Sequence, residues 1–174
     1  IEGCRTYNGI RFYQTYSDMN NLFCISVPVS IAAGGLISRN NTTLKYALFI
    51  SESIAISTLI TQATKKITNR KRPGMNDSTL SPVLNLTSNS FPSGHTSIAF
   101  SMATALTIIC PKWYIWIPAF SYATLMAYSR IYLGVHYPTD LIAGAFIGSG
   151  SSWLSYRFNR WMHKNNNNVL KRTF

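Results

Sequence analysis

Residues 91–111 have the sequence FPSGHTSIAFSMATALTIICP, an uncharged run that opens with a proline and a glycine and closes at a proline. Its length and its lack of alternation predict a helix from about Ser93 to Pro111. Pro92-Ser93-Gly94-His95 then lies at the helix N-terminus, where backbone N–H groups lack intrahelical partners and glycine allows close approach. The stretch therefore predicts an anion-binding turn at the start of an apolar helix.

The rest of the chain shows the same helical pattern, and no segment alternates as a strand would. Further helices are expected over about residues 22–38, 43–70, 113–132 and 138–161, and Pro73-Gly74 is expected to end the second of these. A polar segment, residues 1–21, precedes the helical core, residues 22–162. The basic tail, residues 163–174, contains four consecutive asparagines and is expected to be flexible. The fold class is therefore predicted to be all-α, a bundle of about five long helices.

The charge balance favours an anionic partner. Sixteen Lys and Arg against five Asp and Glu give a net charge of +11. Such a partner can be nucleic acid, a membrane surface or a phosphorylated substrate. Nucleic acid is disfavoured because the basic residues are spread along the chain between apolar runs. The three cysteines have neither disulfide-framework nor metal-ligand spacing.

Four uncharged runs indicate a membrane protein. They cover residues 19–38, 78–111, 113–129 and 141–156, and three of them, at 16 to 20 residues, are near the lower limit of what spans a bilayer. Many serines and threonines dilute them, so the mean hydropathy is only +0.06. The alternative is the helical core of a soluble bundle.

The chain direction reverses at each connection, which brings the loops before residues 93 and 138 to one end of the bundle. The end of the second predicted helix lies there too. The opposite end receives basic residues without neighbouring acids, and the positive-inside tendency places that end in the cytoplasm. These basic residues are Arg39, Lys45, Lys112, Arg157, Arg160, Lys164, Lys171 and Arg172.

Two cations at the end of the second predicted helix can bind phosphate. Lys65 and Arg72 are seven residues apart, about two helical turns, and so project from nearly the same face. Arg can hold two phosphate oxygens at once, and Lys adds a compact charge. The alternative is a basic helix end that suits the helix dipole and lipid headgroups, to which we assign Lys66, Arg70 and Lys71.

Two histidines supply the remaining chemistry. His136 and Asp140 are four residues apart, and a carboxylate bonded to one ring nitrogen leaves the other nitrogen able to attack. A half-buried ion pair at a helix start is the alternative, but it does not require the nearby Arg130. His95 in a first helical turn can protonate a leaving oxygen. Its alternative is an incidental histidine beside the N-cap Ser93.

The three motifs together resemble a known family. Lys-x6-Arg-Pro at 65–73, Pro-Ser-Gly-His at 92–95 and Ser-Arg-x5-His-x3-Asp at 129–140 occur in this order. This pattern is similar to that of the type 2 phosphatidic acid phosphatase family, whose superfamily includes bacterial nonspecific acid phosphatases and vanadium haloperoxidases. The resemblance covers about residues 45–157 and implies one phosphatase domain over residues 1–162, with a phosphatidic acid phosphatase/haloperoxidase-like core.

The resemblance also implies the residue roles. His136 attacks phosphorus and forms a phosphohistidine, Asp140 orients it, and His95 protonates the leaving group and then activates water. No metal or cofactor is implied, because cations stabilise the charge. The phosphate oxygens are bound by Lys65, Arg72, Arg130, Ser93 and Gly94.

The implied function is hydrolysis of a phosphomonoester or pyrophosphate of a membrane lipid. Candidates are phosphatidylglycerophosphate, undecaprenyl pyrophosphate, phosphatidic acid and lipid A, with the site on the periplasmic side of a bacterial inner membrane. Membrane members usually have three helices before the first motif, whereas two are predicted here, so the chain is expected to be one helix short. Alternatives are a soluble periplasmic acid phosphatase, a haloperoxidase and a non-catalytic module that binds anionic lipid.

Overall fold

The computed structural model describes residues 6–73 and 88–165, and it confirms the predicted all-α bundle. Five helices follow one another along the chain, and the described residues contain no strand. They are α1 (Tyr7–Ile37), α2 (Asn41–Thr68), α3 (Gly94–Ile109), α4 (Trp113–Tyr132) and α5 (Pro138–Asn165). Most of the loop expected before Pro92, and the tail from residue 166, lie outside the described residues.

Helix α1 corrects the prediction for the N-terminal region. It begins at Tyr7, about four turns before the expected start near residue 22, and it continues through Pro28. Its buried residues include Ser17, Asn20 and Cys24, which recur at helical spacing. The sequence looks polar because α1 directs hydroxyl and amide groups into the bundle, where the Asn20 Oδ1 atom accepts a hydrogen bond of 3.0 Å from the Tyr122 hydroxyl.

Helix α2 brings its C-terminus to the motif end and ends earlier than expected. Asn40 caps its N-terminus by accepting a hydrogen bond of 3.0 Å from the Thr42 amide. At the other end Asn69 adopts the left-handed conformation, with φ of 43°, and its amide donates to the Lys65 carbonyl. The helix therefore ends at Thr68 rather than near residue 70, and the chain turns before Arg70.

Helix α3 lies at the centre and contacts each of the other four helices. Glycines on α5 let α5 approach α3 closely: a Cβ atom at Gly144 would lie 2.8 Å from the Ser93 carbonyl oxygen. One at Gly148 would lie 2.1 Å from the Ser97 carbonyl oxygen. Further along, the Ser101 and Ser152 hydroxyls are 3.0 Å apart. This contact places the N-termini of α3 and α5 side by side.

The outer surface of the bundle is rich in apolar side chains. Helices α1 and α2 are each long and apolar enough to cross a membrane, judged by length and composition. Large exposed apolar side chains occur on all the helices except α3, among them Leu22, Ile25, Val29, Leu48, Leu59, Trp116, Phe146 and Trp153. The structure thus provides two candidate membrane spans.

Candidate active site

The three motifs meet at one end of the bundle, as the alternating helix directions require. The Ser93 amide at the start of α3 donates a hydrogen bond of 3.0 Å to the Asp140 carbonyl oxygen. Arg72, after α2, donates a bond of 2.9 Å to the Val135 carbonyl oxygen in the loop before α5. The first contact joins residues 47 positions apart and the second joins residues 63 positions apart, which brings the three motifs into one site.

The N-terminus of α3 forms the floor of the site. Ser93 is the N-cap residue and is fully buried, and its Oγ atom accepts a hydrogen bond of 3.0 Å from the Thr96 hydroxyl. A Cβ atom at Gly94 would have a single neighbour within 4 Å, a Thr61 methyl group at 3.9 Å. Space therefore remains in front of the first-turn amides of α3, which lack intrahelical partners and favour an anion.

His136 and Asp140 form the buried pair predicted from their spacing. The His136 Nδ1 atom lies 3.4 Å from Asp140 Oδ2, and their side chains are 3% and 0% exposed. On the other side of the ring, Arg72 Nη1 lies 3.3 Å from His136 Nε2. A guanidinium can only donate hydrogen bonds, so Nε2 is the acceptor and Nδ1 carries the proton towards Asp140.

The surroundings of His136 favour its neutral form. Burial lowers the pKa of His136 to about 4, the hydrogen bond with Asp140 opposes this, and the charges of Arg72 and Lys65 lower the pKa further. At neutral pH the ring is therefore uncharged, and its Nε2 lone pair points towards Arg72.

Asp140 accepts hydrogen bonds on both of its oxygens. Besides His136, the Ser90 hydroxyl and the Tyr137 amide, at 3.0 Å, donate to Oδ2. Arg70 Nη1 donates to Oδ1 at 2.9 Å. The carboxylate is thus held by four donors and has little freedom to turn away from the imidazole.

Three cations surround the site, and each is held by neutral oxygens. Lys65 Nζ donates to the Asn89 carbonyl oxygen at 2.9 Å. Arg72 is 6% exposed and donates to the Ser88 carbonyl oxygen at 2.8 Å and to the Ser88 hydroxyl at 2.8 Å. Arg130 is 2% exposed and donates to the Ser17 hydroxyl on α1. Burial lowers the pKa of Arg72, and Asp140 partly opposes this.

These cations lack carboxylate partners. In the described part of the chain, no Asp or Glu oxygen lies within 4.0 Å of the charged nitrogens of Lys65, Arg72 or Arg130. The Nε atom of Arg130 is buried without a hydrogen-bond partner in this part of the structure. Buried positive charge without a counter-ion is costly, so the site is built to receive an anion.

His95 follows Gly94 in the first turn of α3 and is partly buried. Its ring lies within the electric field of four charged or titratable groups, namely Arg130, His136, Lys65 and Arg72. All eight predicted site residues therefore belong to one region. Among the described residues no group of three or more His, Cys, Asp or Glu side chains is arranged to hold a metal ion.

Arg70 corrects an assignment made from the sequence. It was expected to be part of a basic helix end, but α2 ends before it, and its side chain turns back to Asp140. Its guanidinium lies 4.1 Å from the centre of the Tyr137 ring. Ser17 and Ser90 were not predicted as site residues either. The local sequence signal for the turn before Arg70 was Asn69, because asparagine adopts the left-handed conformation seen here more readily than most residues.

A family model described as the PAP2 superfamily matches residues 46–164. An undecaprenyl-diphosphatase of Sulfolobus acidocaldarius is 48% identical over 69 residues, which are 40% of this chain and 33% of that protein. A lipid A 4'-phosphatase of Bacteroides thetaiotaomicron is 42% identical over 66 residues, which are 38% of this chain and 29% of that protein. The matched segments thus span about a third of the length of these two relatives.

The crystal structure of LpxE from Aquifex aeolicus matches with a TM-score of 0.73 and 27% sequence identity, over 89% of each chain. The similarity therefore extends over most of both chains. Because the family model covers more than half of the chain, and the structural match covers most of it, the chain belongs to the PAP2 superfamily.

Proposed function

We propose that this chain is a phosphatase that removes phosphate from a membrane lipid by way of a phosphohistidine at His136. The observation that carries the proposal is the cluster of Lys65 with the buried Arg72 and Arg130, which lacks carboxylate partners among the described residues and surrounds a neutral histidine. Cations placed where phosphoryl charge develops can stabilise the transition state without a metal.

In the first step, the Nε2 lone pair of His136 attacks phosphorus, and the bond from phosphorus to the leaving oxygen breaks. Asp140 accepts the Nδ1–H bond and stabilises the positive charge that forms on the ring. Arg72 Nη1, 3.3 Å from Nε2, is placed to bind a phosphate oxygen beside the attacking atom. Ser93 and the Gly94 amide complete the anion cradle at the N-terminus of α3.

His95 gives its proton to the leaving oxygen. In the empty site, burial first and then the charges of the three cations and of His136 lower the pKa of His95, and a bound phosphate, as a neighbouring negative charge, raises it again. In the second step, His95 takes a proton from water as the water oxygen attacks phosphorus. The bond from phosphorus to Nε2 then breaks, which releases inorganic phosphate and restores neutral His136.

A lipid substrate is supported by the surface and by the relatives. Two candidate membrane spans and a large exposed apolar surface fit a bilayer. The relatives described above are named as phosphatases of undecaprenyl diphosphate and of lipid A, two lipids with different headgroups. The shared chemistry is a phosphate on a lipid at the membrane surface, and we propose this class without choosing one member.

We also propose that the site faces the outer side of the membrane, which is the periplasm in a bacterium. The opposite end of the bundle carries an excess of basic residues, with Glu52, which accepts a hydrogen bond of 2.7 Å from Asn159, as a nearby described acid, and this excess suits the cytoplasmic side. Those in described positions include Arg39, Lys45, Lys112, Arg157 and Arg160. Accessibility of a cysteine placed at position 139 to a membrane-impermeant reagent in intact cells tests this orientation. Labelling only after lysis contradicts it.

The function is tested by phosphate release from the full chain in detergent. The panel contains undecaprenyl diphosphate, lipid A, phosphatidylglycerophosphate, phosphatidic acid and the water-soluble ester p-nitrophenyl phosphate, with His136→Asn as the inactive control. At least one lipid should turn over faster than the soluble ester. Equal or faster turnover of the soluble ester, together with release from membranes by carbonate, would instead support a soluble acid phosphatase.

A further inference from the structure

Arg70 binds the carboxylate behind the nucleophile. Its Nη1 atom lies 2.9 Å from Asp140 Oδ1 and 2.9 Å from the Thr139 hydroxyl. Its guanidinium also stacks over the Tyr137 ring, with 4.1 Å between guanidinium carbon and ring centre. Three separate contacts therefore hold a side chain that is still 40% exposed to solvent.

The two oxygens of Asp140 have different partners. Oδ2 faces His136, Ser90 and the Tyr137 amide, whereas Oδ1 receives Arg70. Each shift of the carboxylate towards Arg70 takes it away from the His136 ring. The strength of the Arg70 contact therefore bears on how much negative charge the ring experiences.

The backbone of Arg70 supports the same group. Its carbonyl oxygen accepts a hydrogen bond of 2.8 Å from the Ser90 amide, and the Ser90 hydroxyl donates to Asp140. The left-handed residue Asn69 sets this turn, because α2 would otherwise carry residue 70 away from α5. Arg70 thus donates to Asp140 through its side chain and, through its carbonyl oxygen, positions Ser90, which is another of the four donors.

We propose that Arg70 is a positioning residue that acts through Asp140, and that it fixes the carboxylate and offsets part of its charge so that His136 stays a neutral nucleophile. This inference rests on the proposed role of His136. A purely structural role of Arg70 would leave the ionisation of His136 unchanged. It would also add little to the free energy of unfolding, because a partly exposed ion pair contributes little to stability.

Other charges act on His136 from the elements around it. Lys65 of α2 and Arg72 after α2 lower its pKa, and Asp140 of α5 raises it. His95 of α3 lies in the same field. Arg130 of α4 also belongs to the site, and Asp18 of α1 acts on Arg130 rather than on the ring. Because the other cations remain in place, removal of Arg70 isolates the contribution made through Asp140.

The test is a pH titration of the His136 ring in the full chain in detergent. Nitrogen-15 NMR of the histidines monitors the titration. The variants are Arg70→Gln, Arg70→Lys and, as the matched control, Lys71→Gln, which removes an exposed cation from the same turn. Arg70→Gln should raise the pKa of His136 by about 0.5–1 unit, because the uncompensated carboxylate favours the charged ring. Arg70→Lys and Lys71→Gln should stay close to the parent.

The same substitution is repeated in an Asp140→Asn background. There the shift caused by Arg70→Gln should shrink to less than half, because the group through which Arg70 acts has lost its charge. Equal titration of Arg70→Gln and Lys71→Gln overturns the proposal. A shift of the same size in both backgrounds also overturns it, because Arg70 would then act without Asp140.

Kinetics supply a second measurement where a lipid substrate is turned over. Arg70→Gln should move the acid limb of kcat/KM to higher pH by the same amount as the NMR shift, with KM nearly unchanged. The NMR titration needs no turnover, so it decides the role of Arg70 even if the chain hydrolyses none of the lipids in the panel. Failure of the proposed function would be seen separately, as absence of phosphate release by the parent.

Discussion

The two sides of the site differ in how their charges are balanced. On the carboxylate side, which comprises Asp140, His136, Arg70 and Ser90, each charge has a partner, and four donors fix the Asp140 oxygens. On the cation side, which comprises Lys65, Arg72 and Arg130, neutral carbonyl and hydroxyl oxygens hold the charged groups.

This difference separates two tasks. The carboxylate side is complete before substrate arrives, so it can hold the nucleophile in one orientation and one tautomer. Among the described residues no carboxylate lies within 4.0 Å of the charged groups on the cation side, so their positive charge remains available for phosphate. A buried site that kept both sides balanced would bind phosphate weakly, because its cations would already be neutralised.

The largest effect is expected from loss of the nucleophile on the carboxylate side. His136→Ala should lower kcat by at least about 10³-fold, because it removes the attacking atom. Binding of substrate should be largely retained, since the cation side is untouched. Turnover and equilibrium binding of a lipid phosphate are measured on the same preparation. Loss of both in equal measure would contradict the division between the two sides.

Removal of a charge from the cation side should lower activity but raise stability. Arg130→Met should lower kcat/KM by about 10²-fold or more, because a group that binds the transferred phosphate is lost. In the absence of phosphate it should raise the free energy of unfolding by about 1–3 kcal/mol, since it removes a buried charge that has no carboxylate within 4.0 Å among the described residues.

Thermal unfolding in detergent, with and without inorganic phosphate, checks this prediction. Phosphate should raise the melting temperature of the parent more than that of Arg130→Met. Asp140→Asn is the control from the carboxylate side and should be destabilising, because it breaks a paired and hydrogen-bonded group. Destabilisation by both variants would show that Arg130 is already compensated.

The sequence located the motifs but not the balance of charge between the two sides. Helix directions alone place Lys65, His95 and His136 at one end, because each turn reverses the chain. The partners of the cations are carbonyl oxygens of Asn89, Ser88 and Val135, and a backbone carbonyl has no sequence signature. Their number and direction depend on how the chain folds around the guanidinium groups.

Helix α1 shows a second limit. Ser17 reaches Arg130, 113 positions away, so the burial of a polar N-terminal segment becomes evident only with its distant partner present. Arg70 was assigned to a helix end because its neighbours Lys66 and Lys71 are also basic. The left-handed residue Asn69 lies between Lys66 and the pair Arg70 and Lys71, and Lys66 and Lys71 remain exposed while Arg70 turns inward.

A smaller effect should follow from moving α5, which carries Asp140, away from α3. Gly148→Ala would place a Cβ atom 2.1 Å from the Ser97 carbonyl oxygen, so the helices must move apart. We expect a loss of about 1–3 kcal/mol in the free energy of unfolding. Gly150→Ala is the matched control, since a Cβ atom there meets nothing within 4 Å. Equal unfolding free energies for both variants would contradict close packing of α3 on α5.

A further effect on the carboxylate side concerns pH. The pKa of folded His136 is about 4, below the ordinary value of 6.5. Below pH 6.5 the unfolded chain binds a proton that the folded chain does not, so the contribution of His136 to stability falls as the pH drops towards 4. Unfolding in detergent between these pH values should show this loss, and His136→Asn should remove it. The same pH dependence in both proteins would contradict a neutral, buried ring.

The most direct measurement is the identification of the phosphorylated residue during turnover. A lipid substrate labelled with radioactive phosphate is mixed with the full chain and quenched with alkali after milliseconds, and His95→Ala is used to slow release of the intermediate. We expect a label that is stable in alkali, labile in acid and located on His136. Turnover that proceeds with no covalent label, or with a label on any other residue, would contradict the central claim.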